Sequence, residues 1–90
     1  PGKFPAGVTY DKPVMSLDIF ATVAAVNGLA PDPERPLDGV NLLPYVNGER
    51  TGAPHERVYF RSFSQGAFAL RQGDYKLMPN RKDEPVRLYN

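Results

Sequence analysis

The sequence predicts an α+β fold, one amphipathic helix plus a small antiparallel sheet of three to four strands. Two observations carry this. Residues 57–78, RVYFRSFSQGAFALRQGDYKLM, read as three consecutive strands broken by polar and glycine-containing loops. Upstream, Leu17, Phe20, Val23 and Ala24 recur at intervals of three and four, and Ile19 and Val26 widen the stripe. That is the period of a helix.

The chain is taken as a single domain over residues 1–90. Residues 1–14 scatter Gly2, Pro5, Gly7 and Pro13 among Phe4, Val8 and Tyr10, a spacing that breaks helix and leaves an approach loop. The helix occupies 16–28. Ser16 is the expected N-cap, Asp18 lies in the first turn where a carboxylate meets the positive end of the helix dipole, and Gly28 is the stop. Asp18 is the helix's only charge, so the element is expected to be covered on most sides rather than exposed on one. Residues 31–56 are loops, opened by the proline-rich 31–36 and containing a short helix over 41–46 that Asn47-Gly48 closes.

The sheet fills 57–90. Its first strand is expected over 58–63, where aromatic and β-branched residues cluster, followed by a Ser64-Gln65-Gly66 loop and a second run from Ala67. Gly73-Asp74 suits a two-residue hairpin turn, because glycine reaches positive φ at little cost. Counting back from that turn opposes Gln72 to Tyr75, Arg71 to Lys76, Leu70 to Leu77 and Ala69 to Met78. A last strand is expected over 86–89, after a turn containing Asn80, Lys82, Asp83 and Pro85. A strand ending at Asn90 suggests continuation in a longer parent.

Composition narrows the function. Ninety residues with 41% hydrophobic content bury only a modest core. There is no cysteine, which excludes a disulfide framework, a thiolate metal site and thiol catalysis. Eleven cations mix with ten anions, and no basic block exceeds Arg81-Lys82, so no nucleic-acid partner is expected. No apolar run approaches the roughly twenty residues that span a bilayer, so no membrane partner is expected either.

The motifs contain no catalytic residue and no metal ligand. His55-Glu56 invites the zinc-protease reading, but that motif needs a second histidine where Tyr59 stands. Without an orienting partner in view, His55 reads as a loop or capping residue. Asp18 is explained by the helix terminus rather than by metal or acid chemistry. Neither GxGxxG nor GxxxxGK occurs, and Ser62 and Ser64 have no histidine and acid close in sequence. One binding candidate stands out, the Arg71 and Lys76 pair. Two cations directly across a strand pair call for water, a carboxylate or an anionic ligand.

Five pieces in order, PGKFPAG at 1–7, LDIFATV at 17–23, NGL at 27–29, LDGVNLLPYVNGE at 37–49, and RVYFR followed by ALRQGDYKLM, resemble the C-terminal part of the sulfatase family. One departure is visible: Ala21 stands where that family usually has a proline before the threonine, which bears on the helix start. The resemblance implies a C-terminal subdomain fragment of an alkaline-phosphatase-like α/β enzyme. It implies for the parent a calcium ion, a formylglycine made from a cysteine or serine in a C/S-x-P-x-R motif, and a periplasmic, secreted or lysosomal location. None of those catalytic parts is in this segment, which is expected to be inactive alone and to need the parent's N-terminal catalytic domain as its partner. In isolation, its exposed apolar surface is expected to favour self-association. Two other readings stay open: a phosphoester or phosphonate hydrolase of the same superfamily, and an independent sulfated-glycan binding module using Arg71 and Lys76.

Overall fold

The structure, a computed structural model, describes residues 2–63, 66–79 and 83–90. The chain divides into two compact units, Pro1–His55 and Glu56–Asn90.

The first unit is built on helix α1, Leu17–Val26. Its start differs from expectation. Ser16 makes no side-chain cap bond, because its backbone is already helical (φ −60°, ψ −27°) rather than in the extended region from which a cap hydroxyl meets the next amides. Asp18 acts instead: its Oδ2 accepts the Met15 N–H at 2.8 Å while the Met15 carbonyl accepts the Asp18 N–H at 3.0 Å. This is the backward reach of a capping-box acid. The other end is as expected. Gly28 takes φ 71°, the Leu29 N–H reaches back to the Ala24 carbonyl (2.9 Å) and the Gly28 N–H to Ala25 (3.0 Å), which is a Schellman motif.

The side that α1 buries is not its apolar stripe. Asp18, Ala21 and Thr22 are buried, whereas Ile19, Phe20 and Val23 are 65%, 66% and 55% exposed. Among the described residues the stripe is left open, as a chain too short to supply its cover would leave it, because the Val40 N–H donating to Asp18 and the Leu42 N–H donating to Thr22 decide which side of the helix faces its own loops. Helix α2, Leu43–Val46, is shorter than the 41–46 expected. Asn41 lies outside it and its side-chain oxygen accepts the Leu43 N–H at 3.1 Å, an Asx-type turn that leads into the helix. Gly48 at φ 78° ends it, as Asn47-Gly48 suggested.

The second unit is a four-stranded antiparallel sheet in sequential order: β1 Val58–Arg61, β2 Phe68–Gln72, β3 Tyr75–Pro79 and β4 Val86–Tyr89. Strand β1 stops two residues short of expectation. The Ser62 N–H bonds the Ala67 carbonyl at 2.8 Å, which closes the connection before Phe63. The expected Ser64-Gln65 tip and the turn residues Asn80 and Lys82 lie outside the described residues. Gly73 alone of its turn has positive φ, 56°, the pattern of a type II′ hairpin. The register follows from it: Gln72 opposes Tyr75, Arg71 opposes Lys76 and Leu70 opposes Leu77.

Since paired residues share a face, Tyr59, Leu70, Leu77 and Leu88 form one row across all four strands. Val58, Arg71, Lys76 and Tyr89 form the corresponding row on the opposite face. Within β2 and β3, the Gly73 turn therefore sets which face carries Leu70 and Leu77 and which carries Arg71 and Lys76.

Candidate functional site

Two polar arrangements carry chemistry, one in each unit. In the first unit, the Asp18 carboxylate has no exposed surface. Its Oδ2 takes the Met15 N–H and its Oδ1 takes the Val40 N–H, each at 2.8 Å. His55 Nε2 lies 2.7 Å from Oδ1 and 2.8 Å from Oδ2, and its side chain is 10% exposed. One carboxylate thus gathers three parts of the chain. Beneath it, the Thr22 hydroxyl donates to the Asp18 carbonyl at 2.7 Å and accepts the Leu42 N–H at 3.0 Å.

Gly39 makes this convergence sterically feasible. A Cβ there would collide with the carbonyl of Leu17, so only glycine lets the 38–42 segment come close enough for Val40 to reach Asp18. Burial pushes the Asp18 carboxyl up, but the Met15 and Val40 N–H groups and then the His55 ring outweigh it and hold its pKa below the ordinary carboxylate value. The pair is a hub of hydrogen bonds, and its acceptor oxygens are already engaged.

The histidine that the sequence left without an orienting group therefore has one. Nothing local pointed to it, since Asp18 and His55 are 37 residues apart. The turn signal Asp38-Gly39 and the lone helix acid were the traces of it in the sequence.

In the second unit, Arg71 and Lys76 are exposed and directly opposed. Arg87 joins them on the same face, opposite Met78, and Tyr89 stands beside Lys76. Arg71 Nε donates to the Gly73 carbonyl at 3.3 Å, and among the described residues neither opposed cation has a carboxylate partner.

The calcium implied by resemblance wants six or more oxygen ligands with carboxylates converging on one site. Among the described residues no three His, Asp or Glu side chains are grouped, and the buried carboxylate is taken up by Met15, Val40 and His55. The residues present do not fit that ion. Nor does any serine here begin an S-x-P-x-R run from which a formylglycine is made.

The geometry defines an α+β segment whose sheet carries opposed cations on one face. Its relatives agree with the sequence pattern. The chain is 34% identical over 76 residues to the N-acetylgalactosamine-6-sulfatase of Canis lupus familiaris, a match covering 84% of this chain and 14% of that protein. It is 42% identical over 55 residues to the steryl-sulfatase of Homo sapiens (60% of this chain, 9% of that protein). With the arylsulfatase D of Homo sapiens it shares 32% identity over 59 residues, 66% of this chain and 10% of that protein. No family model matches. The chain belongs to the sulfatase family, as a segment consistent with a C-terminal portion, and it spans about a tenth of the length of these relatives.

Proposed function

We propose that this chain is the C-terminal structural part of a sulfatase that hydrolyses sulfate esters, with the catalytic groups supplied by a larger N-terminal domain. The observation that carries this reading is the coverage: three sulfatases match most of this chain with 9–14% of their own length. The calcium and formylglycine of the parent belong to that domain. Its surface is also the partner for the exposed Ile19, Phe20 and Val23 stripe. Freed of it, the segment self-associates through the same stripe, which light scattering at high concentration tests.

The opposed Arg71 and Lys76 contact the anionic end of the substrate. Two exposed cations held across a strand pair repel each other, and an anion between them relieves that repulsion.

Hydrolysis of a chromogenic aryl sulfate by this chain and by its full-length parent, with and without a calcium chelator, tests the assignment. Activity in the parent alone, lost with chelator, is expected. Turnover by these 90 residues overturns it, and a parent that cleaves only the aryl phosphate replaces sulfatase with phosphoester hydrolase. For the cations, Arg71→Gln with Lys76→Gln in the parent raises KM. An unchanged KM with a loss of stability alone rejects the contact.

A further inference from the structure

We propose that Asp18 and His55 form an acid-opened latch: the ionised carboxylate clamps the segments carrying Val40 and His55 onto the first turn of α1, and its protonation releases both. The geometry is the argument. A carboxylate without exposed surface collects donors from positions 15, 40 and 55, and although the first belongs to the helix's own start, no local secondary structure ties the other two to it. Gly39 is pressed against the Leu17 carbonyl to let the second of them in.

Every arm arrives as a donor. Met15 and Val40 present backbone N–H groups, and because an ionised carboxylate only accepts, the His55 Nε2 that faces it is the N–H donor. A carboxyl that takes a proton from solvent must turn its own O–H toward one of them, so an acceptor is lost and a donor gains no partner. Among the described residues His55, on the 52–55 loop, is the only ionisable side chain acting on the carboxylate. The 38–42 segment contributes the Val40 N–H, the stretch before the helix the Met15 N–H, and Thr22 touches only the Asp18 carbonyl.

The same donors favour the ionised form and hold the Asp18 pKa below the ordinary carboxylate value despite its burial. The latch therefore opens at a lower pH than that at which an ordinary carboxylate takes up its proton. Losing the His55 arm moves the opening toward neutral pH, because one of the interactions that favour the anion is gone.

Amide hydrogen exchange followed by mass spectrometry on the full-length protein tests this, in steps from about pH 7 to about pH 3 and corrected for intrinsic exchange rates. Peptides spanning 38–46 and 50–57 are expected to open together as the pH falls below the carboxylate range, before the peptides of β2 and β3. In His55→Gln both open roughly tenfold more than wild type at a pH within that range. Asp18→Asn, which imitates the neutral acid, opens them at every pH. Three results overturn the latch: exchange in the two segments that ignores pH, an opening pH unchanged by His55→Gln, or loss of protection only together with the sheet. If Asp18→Asn does not fold, wild type and His55→Gln decide the matter between them.

Discussion

A carboxylate with no contact with water must be partnered on both oxygens, and Asp18 is, by two backbone N–H groups and the His55 ring. Asp18→Ala strands the Met15 and Val40 N–H groups in the interior, at a cost of about 2–5 kcal/mol in urea denaturation. The pH dependence follows from the direction of its shift. With the folded pKa below the unfolded one, the carboxylate contributes stability that is fully present above its unfolded value and is lost as pH falls through the folded one. Urea midpoints taken down through that window fall for wild type and flatten for Asp18→Asn. Gly39→Ala forces a methyl into the Leu17 carbonyl and is expected to cost about 1–3 kcal/mol in the same measurement.

At the scale of elements, the two ends of α1 behave differently. Gly28, at φ 71°, terminates the helix by a conformation that L residues rarely adopt, so Gly28→Ala costs about 1 kcal/mol. Ser16→Ala, by contrast, changes stability by less than about 0.5 kcal/mol, because the cap it resembles is not made. A loss near 1 kcal/mol, the usual worth of a working cap, would restore the cap to Ser16. In the sheet, the II′ turn at Gly73 sets the pairing that puts leucine across from leucine and Arg71 across from Lys76. A one-residue slip would exchange those faces, so the turn controls the cationic surface as directly as it controls the apolar one.

For the whole molecule, the large exposed side chains are the informative ones. Ile19, Phe20 and Val23 on the helix, and Tyr59, Tyr75 and Leu88 on one face of the sheet, are all more than half exposed. Replacing Ile19 and Phe20 by serine removes apolar surface that the catalytic domain is proposed to cover. The double variant should lower the Tm of the full-length protein by several degrees, and leave the melting of the 90-residue chain nearly unchanged. Equal losses in both would place the stripe's partner inside this segment.

Much of this fold was legible because its signals are local. The 3.6-residue period and Gly28 placed α1, and Gly73-Asp74 placed the hairpin with its register, including the opposed cations. Backbone dihedral preference and side-chain alternation act over a few residues, so the sequence alone determines them. Tertiary structure decided the rest. Which side of α1 faces its own loops depends on hydrogen bonds reaching from Asp18 to Val40, 22 residues on, and from Thr22 to Leu42, 20 residues on. The pairing of Asp18 with His55 spans 37 residues, and the space at Gly39 exists only once the loop has closed on the helix. Composition and periodicity do not encode such distances. A buried acid acquires its partners from the path of the folded chain, since outside that fold water would satisfy it equally well.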